Sequence, residues 1–148
     1  MSGDRLTIRR DPFALPVPEG WVDRTVVTLT GPEVDGFASN IVVTAEPLCD
    51  GLGLGGFASG WVSRIAEHVA VRELRRAEHV QIAGEPGQVR TIGWAEAGVA
   101  ISQRAALVVH DGIGYAIVVT APADGLDEAD EVLAGVLDGF AFAVKEPT

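Results

Sequence analysis

Cysteine is almost missing from this 148-residue chain. Cys49 stands alone, so no intrachain disulfide can form and no thiolate metal site can be assembled. Histidine is scarce as well. No two of His68, His79 and His110 fall at i, i+3 or i+4 spacing, and none has a carboxylate at a ligand spacing, so no metal is expected. Basic residues number 11 against 21 acidic ones, a net charge of −10, and all but Lys145 are arginine. Beyond Arg9-Arg10 and Arg75-Arg76 they are scattered. A phosphate backbone or an anionic membrane attracts clustered positive charge, so neither nucleic acid nor stable membrane association is expected. No apolar run approaches the roughly twenty residues that span a bilayer. The charged and polar stretch from Met1 to Asp11 lacks the apolar core of a signal peptide. The expected compartment is the cytoplasm.

What is present is apolar residues, 47% of the chain, in short blocks. The length suits one domain over residues 1–148, large enough to bury about two-thirds of its unfolded surface. No repeat, linker or low-complexity tract divides it. Residues 6–8 and 13–17 read as short extended pieces. Residues 24–30 and 39–45 are rich in Val and Thr and read as strands, the first ended by Gly31-Pro32 and the second by Pro47. A glycine-rich loop over residues 49–56 comes next. Phe57, Trp61, Ile65 and Val69 then recur every four residues, as one face of a helix requires. Residues 73–82, 88–94 and 99–109 are strand-like, separated by Gly84-Glu85-Pro86-Gly87 and Glu96-Ala97-Gly98. Asp111-Gly112 turns into a further strand over 115–120. This meander predicts an antiparallel sheet. A second helix is expected over 126–137, capped by Asp124 or Asp127, burying Leu126, Val132, Leu133, Val136 and Leu137, and ended by Gly139. Residues 140–144 form a candidate last strand. The expected fold class is α+β, an antiparallel sheet of about six or seven strands flanked by two helices.

Motifs that carry chemistry fail on context. Gly51-Leu52-Gly53-Leu54-Gly55-Gly56 satisfies G-x-G-x-x-G and precedes a helix. In a dinucleotide site such glycines let backbone approach a pyrophosphate. Here Pro47, Leu48, Cys49 and Asp50 separate the glycines from the strand, and no second βαβ unit comes after them, so the string reads as a flexible loop. Ser102, His110 and Asp111 are the types of a catalytic triad, but no nucleophile elbow surrounds Ser102. Cys49 has Asp50 beside it, which disfavours a thiolate. Asp127, Glu128, Asp130 and Glu131 suit a solvated helix start. No enzyme, cofactor or metal site is expected.

The surface is more informative. Val26-Val27, Ile41-Val42-Val43, residues 106–109 and residues 116–119 are apolar on both strand faces, where a half-solvated strand would alternate. Six strands about 4.8 Å apart make a sheet roughly 30 Å wide, and a helix covers about 10 Å. Two helices leave part of such a sheet for loops and termini to bury, for a second copy, for a docked partner segment, or for both of the last two.

Several stretches together resemble a family. Pro18-Glu19-Gly20-Trp21-Val22-Asp23-Arg24-Thr25-Val26 resembles its opening, Pro-x-x-Trp-x-Asp-x-(Ser/Thr)-hydrophobic. Ala38-Ser39-Asn40-Ile41-Val42-Val43 is similar to its second strand, and Ile101-Ser102-Gln103-Arg104 to its Gln-bearing central strand. Thr120-Ala121-Pro122-Ala123 resembles the approach to its last helix, and Phe140-Ala141-Phe142 the segment after that helix. The family is the DcrB-like group of PsbP-like fold, which includes the effector-associated (Eag) chaperones of type VI secretion. The resemblance implies a homodimer with a concave apolar groove that shields the hydrophobic N-terminal helices of a toxin effector. It places Val26, Thr28 and Gln103 in that groove, and strand alternation adds Ile101 and Ala105 to the face of Gln103. A small-ligand carrier or structural binding module of the same fold is the alternative. The aliphatic residue expected at 28 is a threonine, and the glycine loop replaces more polar residues.

Overall fold

The computed structural model describes residues 7–10, 13–16, 18–20, 27–34 and 37–142. Strands β1 (Thr7–Arg10) and β2 (Phe13–Pro16) form a separate antiparallel ladder. The main sheet has seven antiparallel strands: β3 (Val27–Val34), β4 (Phe37–Pro47), β5 (Glu73–Leu74), β6 (Glu78–Ile82), β7 (Glu85–Glu96), β8 (Val99–His110) and β9 (Ile113–Pro122). Their order is β3-β4-β9-β8-β7, with β5 and β6 both paired to the far edge of β7. Helix α1 (Leu54–His68) comes after β4, and α2 (Leu126–Gly139) comes after β9 through one 3-10 turn at Ala123–Gly125.

Local chemistry explains the meander. Ala83-Gly84, Ala97-Gly98 and Asp111-Gly112 each connect two strands, and all six residues have positive φ. Two-residue loops with both φ positive match the right-handed twist of the strands they join, and glycine takes that conformation without a Cβ penalty. The loop expected at Gly84-Glu85-Pro86-Gly87 is thus narrower, and Glu85 already begins β7.

Other expectations need correction. Gly31-Pro32 does not end β3, which continues to Val34 through a register shift between Thr30 and Glu33. In the described sheet β3 is an edge strand, where a proline removes no essential ladder bond. Residues 73–82 split into β5 and β6. The N-cap of α2 is Gly125, with no side-chain cap from Asp124 or Asp127, although Asp127 and Glu128 occupy the first turn. Val132 is exposed (52%), and Ala129 packs inward in its place with Leu126 and Leu133. Residues 140–142 form no strand. Phe140 and Phe142 pack edge-on to each other, and Phe142 stacks on His110 with 4.0 Å between ring centres. Residues 143–144 of that expected strand lie outside the described residues.

Each sheet face has its own core. On one face Phe57, Ala58 and Trp61 of α1 cover Ile92, Trp94, Ile101, Ala105, Leu107 and Ala116. On the other, Ala129 and Leu133 of α2 cover Ile82, Val89, Ala106, Val108, Ile117 and Val119. The alternating side chains of residues 105–108 in β8 are therefore buried on both sides, which is why that stretch of the strand reads as a continuous apolar run. Arg104 ties the second layer together. It donates to Thr91 Oγ1 at 2.8 Å, pairs with Glu78 at 3.0 Å and forms an ion pair with Asp130 of α2.

Candidate functional site

The helices cover the middle of the sheet and stop short of the β3 end. Every described β3 side chain is exposed, including Val27 (42%) and Leu29 (53%). On the α1 face, strand register aligns Thr28, Val42, Val118 and Ala105 in one row. The next row holds Thr30, Asn40, Thr120 and Gln103. Val42 and Val118 are half-buried, so this end of the face is a shallow trough with an apolar row beside a polar one.

Gln103 joins the two sides of the polar row. Its Nε2 donates to Thr120 Oγ1 at 3.0 Å, while its Oε1 is buried and accepts nothing among the described residues. A buried acceptor without a donor costs about 1–3 kcal/mol, so this atom favours any donor brought to it.

Of the five groove residues named from the sequence, Val26 lies outside the described residues. Thr28, Ile101, Gln103 and Ala105 share the α1 face. Their surroundings differ. Thr28 is exposed and Gln103 half-buried, whereas Ile101 (6%) and Ala105 (0%) are already covered by the chain's own core.

Where α1 meets the sheet there is a cleft of about 310 Å³ that is open on one side. Phe57, Trp61 and Ile65 form its wall and Thr44 and Ala116 its floor. At its rim Arg64 grips Glu46 with two bonds, 2.9 and 3.3 Å. That bond and the carboxylate's charge push the Arg64 pKa above its ordinary value.

A solved structure shares this architecture. PA94 from Pseudomonas aeruginosa, a protein of unknown function suggested to be a regulator, superposes with a TM-score of 0.74 at 13% identity, covering 99% of this chain and 100% of that one. The fold is shared with PA94. Cyanobacterial PsbP (CyanoP) from Synechocystis sp. PCC 6803 gives a TM-score of 0.48 at 14% identity over 94% of this chain and 92% of its own. No family model matches the chain, and no curated protein matches it in sequence.

Among the described residues no three His, Cys, Asp or Glu side chains gather as metal ligands, and no helix is long and apolar enough to cross a membrane. The sequence reading missed Val42, Val118 and Thr44 as trough residues. They join Thr28 and Gln103 only because β4 pairs with β9, a contact about seventy residues apart in the chain that no local pattern announces.

Proposed function

We propose that this chain is a non-enzymatic chaperone or adaptor of the PsbP-like, DcrB-like kind. It shields hydrophobic N-terminal transmembrane helices of a secreted toxin effector in the cytoplasm, as Eag chaperones of type VI secretion do. The observation that carries the reading is the uncovered end of the α1 face, where half-buried Val42 and Val118 lie beside the polar pair Gln103–Thr120. A transmembrane helix in water exposes some twenty apolar residues and aggregates unless they are covered. Covering five leucine-sized side chains is worth about 10 kcal/mol, and the few polar atoms keep the hold reversible. The same reading makes the chain a homodimer. The β3 edge, with one strand neighbour in the described sheet and exposed Val27 and Leu29, supports pairing with a second copy.

Co-expression with the hydrophobic N-terminus of a toxin encoded beside it is the test. The chaperone reading expects the toxin segment to be soluble and to co-purify only when this chain is present. Equal solubility without it rejects the reading. A small-ligand carrier is the competing reading, and the 310 Å³ cleft is the feature that favours it. A carrier encloses its cargo, however, and this cleft is open along one side.

A further inference from the structure

We infer that the outer edge of β5, at the opposite end of the sheet from the trough, docks an extended acidic segment of a partner protein. The inference goes beyond the chaperone reading and does not depend on it. Arginine pairing shows where the surface lies. Arg64 holds Glu46, Arg75 holds Glu73, and Arg104 holds Glu78 and Asp130. Arg72, Arg76 and Arg90 hold no carboxylate among the described residues. All three stand on β7 or on the chain that runs beside it, in a protein whose net charge is −10.

Strand geometry assembles them. Glu73 and Arg75 pair at i and i+2, so they project from one side of the strand. Arg72, Leu74 and Arg76 project from the other side, where Leu74 opposes Ile92 of the α1 core. Arg90, two residues from Ile92 on β7, shares that side, and its Nε is buried without an acceptor among the described residues. Leu74 is 50% exposed, so an apolar side chain stands between two unpaired guanidinium groups. In the described sheet β5 pairs with β7 alone, so its second edge offers backbone donors and acceptors to an added strand. Side chains on one face of an extended guest recur about every 7 Å, the interval of Arg72, Leu74 and Arg76. A guest whose apolar residue has carboxylates two positions to either side meets all three. Guanidinium can hold a carboxylate with two parallel bonds, which favours Asp or Glu over a neutral residue there. At physiological salt the rest of the chain's negative charge is screened beyond about 8 Å, so these local arginines decide.

The experiment titrates the full chain with a labelled peptide centred on Glu-Thr-Val-Thr-Glu and with the same peptide carrying Gln for both Glu. Fluorescence anisotropy is expected to show the acidic peptide bound about tenfold more tightly, a preference lost at about 500 mM salt. Arg72→Gln and Arg76→Gln, both at exposed positions, are each expected to weaken the acidic peptide about threefold and to leave the Gln peptide unchanged. Methylating alternate peptide nitrogens blocks strand addition and is expected to remove binding, so binding that survives it overturns the inference. Equal binding of the two unmethylated peptides, or an acidic preference that survives both arginine substitutions together, overturns it as well. If neither peptide binds and the arginine variants aggregate, the arginines only guard an open edge. If neither binds and the variants change the oligomeric state seen by light scattering, the edge belongs to a second copy. Either result overturns the peptide site and leaves the chaperone reading standing.

Discussion

Gln103 and Thr120 face each other across β8 and β9, the amide donating to the hydroxyl and leaving its own carbonyl oxygen buried without a donor among the described residues. An arrangement shaped only by stability would replace that glutamine with an aliphatic residue, because an orphaned buried acceptor costs about 1–3 kcal/mol. Gln103→Leu is therefore expected to leave the chain as stable as before or to raise its melting temperature by a few degrees, while weakening retention of a co-expressed toxin segment. A lower melting temperature with full retention would show that Gln103 serves the fold instead.

Val42 and Val132 separate trough from general surface. Both are apolar and outside the deep core, but Val42 lies in the trough row and Val132 on the exposed flank of α2. Val42→Asp is expected to abolish co-purification of the toxin segment, because a carboxylate there must be desolvated against an apolar guest. Val132→Glu is expected to change stability by less than about 0.5 kcal/mol and to leave the guest bound. Loss of the guest with Val132→Glu and not with Val42→Asp would move the site to the other face.

Much of this architecture is legible in the residues, for identifiable reasons. The meander could be read because Ala-Gly, Ala-Gly and Asp-Gly fix three hairpins by local dihedrals alone. The two helices could be read from Phe57-Trp61-Ile65 and Leu126-Leu133. The failures arise where long-range packing decides. Gly31-Pro32 looked terminal because the edge position of β3 was not visible from its own residues. Val132 looked buried because Leu133 and Ala129, not Val132, set the line along which α2 rests on β9. The site divides in the same way. Strand parity put Ile101, Gln103 and Ala105 on one face, but only the placement of α1 decides that Ile101 and Ala105 are covered and Val42 is not.

Arg104 predicts how α2 is held. Its guanidinium is mostly buried and meets Thr91, Glu78 and Asp130 from three different elements. Arg104→Met keeps the stem and removes the charge, so Asp130 and Glu78 lose their partner together. Hydrogen bonds to charged groups contribute roughly 1.5–3 kcal/mol, and the expected loss is about 2 kcal/mol in urea denaturation. Because both Asp130 and Glu78 retain access to water, combining Arg104→Met with Asp130→Leu is expected to cost less than the sum of the two single changes. Strict additivity would mean that the pair contributes nothing.

Gly114 predicts how α1, and hence the cleft, is positioned. A Cβ at residue 114 would stand 2.6 Å from Cε1 of Phe57, closer than real Cβ atoms approach, so β9 must lack a side chain there for the ring to seat. Phe57 is itself buried and lines the cleft, so the one missing methyl sets the height of the helix above the sheet. Gly114→Ala is expected to push Phe57 outward and to cost about 1–3 kcal/mol, the usual range for overpacking a core. A smaller ring-side residue relieves the clash, so Gly114→Ala with Phe57→Leu is expected to recover part of the loss. If Gly114→Ala melts within a degree of the unsubstituted chain, α1 can ride higher without penalty, and its present seat is not what holds the cleft open.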